Sequence, residues 1–174
     1  MKAALLFALL ALTPGPLQAQ SDPAQAAQGF LSVYGSFHPS DGVPDAQGRT
    51  RLAPYLSFGL NKLLADAASA EARFSGKVKN SPPLIEGDLF TSMFEGASQW
   101  RLGACTPSGA SARCPVTFGH RDSSGKISSW TDTLLLVKNG ENWRVDDIAY
   151  GGGFQFGNTG RLSDTLKLVL REAP

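Results

Sequence analysis

Adjacent acidic residues stand out in the segment "ENWRVDDIAYGGG", where Asp146 and Asp147 separate a Trp-Arg-Val run from an Ile-Ala-Tyr run. Two neighbouring carboxyl groups can share a proton and act as general acid and general base. A β-bulge is the other interpretation, because one extra residue in a strand changes the facing of the residues that follow it. The sequence favours the bulge, since it returns Ile148 and Tyr150 to the face that carries Trp143.

A histidine and an aspartate on neighbouring strands are predicted to lie on the same face of the sheet. The turn "DSSGK" predicts a three-residue hairpin loop with Gly125 in the left-handed conformation. This loop places Phe118 opposite Trp130, so that His120 and Asp132 share one face of the sheet. The face is otherwise apolar, so that His120 and Asp132 are its ionisable exceptions.

The same face predicts a ligand pocket, because binding sites are mostly apolar concave surfaces with a few polar groups. A filled core whose edge reaches water is the alternative interpretation of the same pattern. The predicted lining residues are Phe118, His120, Trp130, Asp132 and Tyr150.

Two loop segments carry further candidates. In "EGDLFTSMFEG", a short helical turn would bring Asp88 and Glu95 to one side, although Asp88 as an N-cap and a solvated Glu95 explain the same residues. The segment "YGGGFQFGNTG" lacks the strand-to-helix context of a phosphate-binding loop. It predicts a flexible flap whose Phe154 and Phe156 cover a pocket mouth.

The two cysteines, Cys105 and Cys114, lie close together in "CTPSGASARC". In an exported chain such a pair predicts a disulfide, here one that holds the end of a hairpin. Two cysteines and two distant histidines provide too few ligands for a metal site. No metal and no cofactor are therefore predicted.

The first residues, "MKAALLFALLALTPGPLQAQ", have the pattern of a secretory signal peptide, with Lys2 before a short apolar run and Ala19 at the cleavage point. We predict a signal peptide at 1–19 and a single domain at 20–174 that is periplasmic or secreted. Gln20, rather than a cysteine, follows the cut, which argues against a lipid anchor.

Charge narrows the range of partners. The chain has 16 Lys and Arg residues against 15 Asp and Glu, a formal net charge of +1. It has no basic stripe, which argues against binding to nucleic acid. The same lack argues against an anionic membrane as a partner once the signal peptide is removed.

Helices precede strands along the chain, which predicts an α+β fold. Helical stripes are predicted from Pro23 and again through residues 51–74, and a closing helix in "SDTLKLVLREA" covers the sheet. The turn "KNGE" predicts a hairpin with Leu136 opposite Trp143, and the bulge at Asp146 and Asp147 then lies opposite Thr133. The predicted strands cover about 98–105, 113–122, 128–138 and 141–150.

Four motifs in order, "FLSVYGSF", "RLAPYLSFGLNKLL", "PPLIEGDLFTSMFEG" and "WRVDDIAY", resemble the domain of unknown function 3828 family of exported bacterial proteins. The resemblance covers most of the chain that follows the signal peptide. It implies a cone-shaped, nuclear-transport-factor-2-like (cystatin-like) fold, in which N-terminal helices pack on a curved antiparallel sheet. It implies no reaction, because a fold does not determine a function.

Two classes of function follow. The first is a non-catalytic periplasmic module that binds a small apolar ligand or a periplasmic protein. The alternative is a small cone-fold enzyme, an isomerase or hydrolase. It follows from the resemblance in fold alone, since enzymes with similar cone folds often use an Asp or an Asp/His pair in the cavity as general base. Asp132 or His120 would take that role here, with Tyr150 or Trp130 as a wall or hydrogen-bond donor. The sequence favours the first class, because no catalytic motif of such enzymes is present. It identifies neither the ligand, nor the partner, nor the oligomeric state.

Overall fold

The structure, a computed structural model, describes residues 22–36, 42–79 and 82–172; the predicted signal peptide lies outside them. Within these residues the chain has an α+β fold, as predicted, with one antiparallel sheet. The helices are α1 (Pro23–Ser36), α2 (Ala46–Leu52), a 3₁₀ turn (Ala53–Tyr55), α3 (Phe58–Lys77) and α4 (Leu162–Glu172). The strands are β1 (Gln99–Leu102), β2 (Thr106–Ser108), β3 (Ser111–Arg121), β4 (Ile127–Asn139) and β5 (Asn142–Ala149).

Helix α1 packs one apolar stripe into the core. Phe30, Leu31 and Tyr34 recur at helical spacing and are all buried, as the sequence predicted. Near the end of the helix, Gly35 lies against the ring of Trp100, and a β-carbon at this position would fall 1.8 Å from that ring. A glycine is therefore needed for α1 to approach the sheet this closely.

The second helical region is divided at Pro54, which lies in the 3₁₀ turn. Helix α2 begins within a segment that the sequence predicted to be a loop. That prediction was wrong because Asp45 caps the helix, accepting a hydrogen bond from the Gly48 backbone N–H at 2.7 Å. Ser57 caps α3 in the same way, with the Leu60 N–H at 3.0 Å.

The sheet has the order β1–β3–β4–β5, with β2 also paired to β3. In the β3–β4 hairpin, Phe118 lies opposite Trp130 and Val116 lies opposite Asp132. This register is the one that the three-residue turn at Gly125 predicted, and Gly125 has the expected positive φ of 85°. The inward faces of β3 and β4 therefore carry the predicted residues.

The β4–β5 hairpin contains the predicted bulge, but its register is displaced by two residues from the prediction. Lys138 lies opposite Trp143, and Leu136, which was predicted to face Trp143, lies opposite Val145. The turn consists of Gly140 and Glu141 instead of Asn139 and Gly140, because Gly140 at φ 60° occupies the first central position. The displacement is two residues along the ladder, so the inward and outward faces are unchanged.

The bulge separates the two adjacent aspartates. Asp147 pairs with Leu135, not with the predicted Thr133, and Asp146 is the extra residue and is exposed. The buried Asp147 carboxylate accepts hydrogen bonds from the N–H of Ser163 at 3.0 Å and from its hydroxyl at 2.7 Å. Asp147 thus attaches the start of α4 to β5. The two adjacent aspartates therefore have a structural role.

Strands β1 and β2 run along the same edge of β3, with an interruption at 103–105. At this interruption Cys105 and Cys114 form the predicted disulfide, with their Cα atoms 4.2 Å apart. Cys114 is fully buried. The bond therefore joins the interrupted edge to the central strand β3.

Candidate functional site

The candidate site is built around Asp132, which β4 directs into the core and which is only 1% exposed. Its carboxylate accepts four hydrogen bonds, and two of them come from the backbone N–H of Ser92 at 2.8 Å and from the Ser92 hydroxyl. The Trp130 indole N–H donates at 2.9 Å and the Gly151 backbone N–H at 2.8 Å. A carboxylate that accepts this many donors is held in place, and its lone pairs are occupied.

Ser92 joins two loops through its own oxygen. While its hydroxyl donates to Asp132, its Oγ accepts hydrogen bonds from the N–H groups of Gly151 at 3.1 Å and Gly152 at 2.9 Å. Its backbone carbonyl accepts from the Asn158 N–H at 2.9 Å. The residues 84–98, here called the acidic loop, and 151–160, the glycine segment, therefore meet at one buried serine.

Asp88 belongs to the acidic loop, and its side chain is buried, with only 2% exposed. Its carboxyl group accepts hydrogen bonds from the Tyr34 hydroxyl at 2.7 Å and from the Phe90 N–H at 2.6 Å. The pKa of Asp88 is raised from 3.8 to about 7, chiefly by burial and also by the charge of the nearby Asp132, while these hydrogen bonds act in the opposite direction. Asp88 is thus a buried, weakly acidic carboxyl group.

The acidic loop is not helical. The sequence predicted a short helical turn with Asp88 as its N-cap, but the loop consists of bends and turns. Asp88 does bond the N–H two residues ahead, yet its other oxygen turns inward to the Tyr34 hydroxyl. That hydroxyl also accepts from the Ala97 N–H at 2.9 Å, so the contact with α1 determines the path of the loop. Glu95 is exposed and does not share a side with Asp88.

Tyr150 lies at the junction of the sheet with the glycine segment. Its hydroxyl donates to the Leu89 carbonyl oxygen at 2.6 Å. Burial raises the pKa of Tyr150 well above its usual value, and the charges of Asp88 and Asp132 raise it further. Tyr150 is therefore a neutral hydrogen-bond donor used within the protein.

His120 stands apart from Asp132. Its Nδ1 is 2.9 Å from the Gly96 carbonyl oxygen, and since a carbonyl oxygen only accepts, Nδ1 is the donor of this hydrogen bond. Val116 lies opposite Asp132 and His120 is four residues further along β3, which corresponds to roughly 14 Å along the strand. The structure therefore does not bring the two candidate bases together.

The remaining predicted pocket residues are packed against one another. The rings of Phe118 and Trp130 stack at 5.8 Å between centroids, and Phe154 meets Trp130 edge-on at 5.2 Å. Phe118 and Trp130 are both buried. The structure thus joins Phe118, Trp130 and Asp132 in a filled core, with Tyr150 beside them at the end of β5.

An open groove of ≈ 590 Å³ lies on the other side of these contacts, between the acidic loop and the glycine segment. Phe156, on the glycine segment, is 80% exposed, and Phe94, on the acidic loop, is 42% exposed. Sequence reasoning named Phe154 and Phe156 as a cover for a pocket, but it did not identify Phe94 or Ser92. The residues that line the groove are Met93, Phe94, Glu95, Phe154, Gln155, Phe156 and Gly157.

Other classes of site find little support in the described part of the chain. There, no cluster of three or more His, Cys, Asp or Glu side chains is placed to hold a metal ion. Nor does any helix among those residues have the length and apolarity to cross a membrane.

Comparison with known proteins gives one informative similarity. The chain is 26% identical over 150 residues to a protein of Escherichia coli (strain K12) described as "Uncharacterized lipoprotein YbjP"; the match covers 85% of this chain and 77% of the relative. This similarity is consistent with an exported, envelope-associated protein. No protein-family model matches the chain, and no solved structure matches it significantly. Membership in the domain of unknown function 3828 family therefore stays a prediction.

Proposed function

We propose that this protein is an exported, non-catalytic binding module of the bacterial envelope, which takes a small apolar ligand into the groove between the acidic loop and the glycine segment. The proposal includes a signal peptide that is removed near Ala19 and a location in the periplasm. It also includes a nuclear-transport-factor-2-like cone as the fold. Similarity to a lipoprotein supports the envelope location.

Two exposed aromatic side chains carry the proposal. Phe94 and Phe156 present their rings to solvent from opposite walls of the groove. Leaving apolar surface in water costs about 25 cal/mol per Å², so a ligand that covers both rings gains this free energy. The volume of ≈ 590 Å³ suits a small molecule, since ligand sites commonly measure about 300–1,000 Å³.

The walls are fixed before a ligand arrives, which favours binding because little further ordering is needed. On the glycine segment, Gly157 lies so close to Ser92 that a β-carbon would fall 2.2 Å from the Ser92 carbonyl oxygen. The Asn158 side chain donates to the carbonyl oxygens of Asp88 and Thr91 at 2.6 and 2.7 Å. These contacts hold the segment against the acidic loop.

The hydrogen bonds of Asp132 favour binding over catalysis. A general base must direct a lone pair at a substrate proton. The Asp132 carboxylate instead faces Ser92, Trp130 and Gly151, and its side chain is buried. His120 directs one ring nitrogen at the Gly96 carbonyl and lies far along the strand. The site therefore resembles a rigid support more than a reaction centre.

A small ligand explains the exposed residues better than a protein partner does. A stable protein interface buries more than about 1,000 Å². The other large exposed apolar side chains, including Phe58, Ile127 and Leu168, lie on α3, β4 and α4, outside the groove lining. Among the described residues, Phe94 and Phe156 are thus the large exposed aromatic side chains that line one groove together.

The test uses the neutral apolar dye N-phenyl-1-naphthylamine, whose fluorescence rises in an apolar site. We expect binding to the wild-type protein, with Phe94→Ala and Phe156→Ala each weakening it about tenfold. Phe58→Ala is the matched control, since Phe58 is 81% exposed and does not line the groove. Equal dye binding by all four proteins would overturn the proposal.

A second measurement tests the export part separately. Mass spectrometry of protein expressed from the full sequence in a bacterial host should show an N-terminus near Gln20 in the periplasmic fraction. Retention of the residues 1–19 in cytoplasmic protein would contradict the location and leave the groove proposal unaffected.

A further inference from the structure

The charge of the groove is one-sided. Among the described lining residues, Glu95 is the one ionisable side chain, and the others comprise apolar side chains, a glycine and Gln155. Within the same part of the chain, the Glu95 carboxylate has no hydrogen-bond or ion-pair partner. No Lys or Arg of the described ranges lines the groove. A negative group at the edge of an apolar site attracts a ligand that carries a positive charge.

The aromatic side chains of the groove also favour a positively charged ligand. The face of a phenyl ring is the negative part of its quadrupole, and it attracts cations, including quaternary ammonium groups. Phe94 and Phe156 direct exposed rings at the groove, while Phe154 is held edge-on against Trp130. An ammonium group within the groove can therefore contact aromatic surface and the Glu95 carboxylate together.

The buried groups beneath the acidic loop are also acidic. Asp88 and Asp132 receive their described hydrogen bonds from backbone N–H groups, hydroxyls and an indole, rather than from Lys or Arg. In the described part of the chain the only ion pair is Lys62–Asp66, on α3. The support of the groove thus supplies no positive charge to balance Glu95.

We propose that the ligand class of this groove is a small amphiphilic organic cation, with an apolar chain between Phe94 and Phe156 and an ammonium group beside Glu95. This inference rests on the proposed binding function and specifies its ligand. It assigns Glu95 as the residue that determines specificity for charge.

The probes are octyltrimethylammonium, octanol and octyl sulfate, which share an alkyl chain and differ in charge. Their affinities are measured by displacement of N-phenyl-1-naphthylamine below the concentration at which the detergents form micelles. We expect the cation to bind about tenfold more tightly than octanol, and the sulfate to bind most weakly. Glu95→Gln should weaken cation binding about threefold and leave octanol binding unchanged.

Glu141→Gln, in the exposed β4–β5 turn, is the matched control and should not alter any of the three affinities. Equal binding of the cation and octanol, or an unaltered cation affinity in Glu95→Gln, would overturn the charge preference while the binding function stands. Failure of every probe and of the dye to bind would overturn both.

Discussion

Ser92 and Asp132, 40 positions apart in the chain, are joined by two hydrogen bonds, because the serine presents both its backbone N–H and its hydroxyl to the carboxylate. The contact is buried and attaches the acidic loop to β4. Asp132 therefore holds the acidic loop against β4, which is a structural role.

Replacement of Asp132 should destabilise the whole fold. In Asp132→Asn an amide N–H₂ replaces one acceptor oxygen and then faces backbone or indole N–H donors. We expect a loss of about 3 kcal/mol in the free energy of unfolding, measured by urea denaturation, because buried donors lose a charged acceptor. Asp146→Asn, on the neighbouring strand and exposed, should change it by less than about 0.5 kcal/mol. Comparable stability of the two variants would contradict this account.

Asp88 should make stability depend on pH. Its folded-state pKa of about 7 exceeds the ordinary 3.8, so its contribution is complete below about pH 4 and is lost as the pH rises through about 7. The Asp88→Asn variant has no ionisable group at this position, so its stability does not fall in this way as the pH rises. The melting temperature of the variant minus that of the wild type should therefore increase between about pH 4 and pH 7. A difference independent of pH would show that Asp88 titrates normally.

Asp147 should matter more than its neighbour. Removal of its carboxylate leaves the N–H and hydroxyl of Ser163 without their acceptor at the start of α4. We expect Asp147→Ala to lower the free energy of unfolding by about 2 kcal/mol. Asp146→Ala should have little effect, because Asp146 is the exposed residue of the bulge. Chemical denaturation of both variants tests this, and equal losses would contradict it.

The disulfide should contribute measurable stability. It closes a loop with a sequence separation of 9, for which the loss of unfolded-state entropy is worth about 2.5 kcal/mol. We expect the double replacement Cys105→Ala with Cys114→Ala to lower the urea midpoint correspondingly. A reducing agent should lower the midpoint of the wild type and leave that of the variant unchanged. Equal midpoints for oxidised wild type and variant would contradict a stabilising bond.

Local sequence signals predicted the elements whose structure is decided locally. Pro23 and a stripe of apolar residues predicted α1, and Gly125 predicted the register of β3 with β4. Where two turns were nearly equivalent, the prediction failed. Both Asn139-Gly140 and Gly140-Glu141 can form a two-residue loop with the same residues facing inward, and the structure uses the second.

Local sequence signals could not predict the candidate site, because contacts between residues that are far apart in the sequence create it. The acidic loop has the residues of a helical turn, but the hydroxyl of Tyr34, 54 positions earlier, draws Asp88 inward. Ser92 has no feature in the sequence that marks it as a junction. Its contact with Gly151 spans 59 positions, and only the assembled sheet brings the two together.

The contact between Ser92 and the glycine segment also constrains the order in which the chain folds. The glycine segment lies after the last strand, whereas the opposite wall precedes the first, so the chain must complete β1 to β5 before the walls can meet. Contacts of such long sequence separation form late and slowly. The groove is thus absent from every partly synthesised chain that ends before the glycine segment. A ligand can bind in the groove only after the chain is complete through Gly157 and has folded.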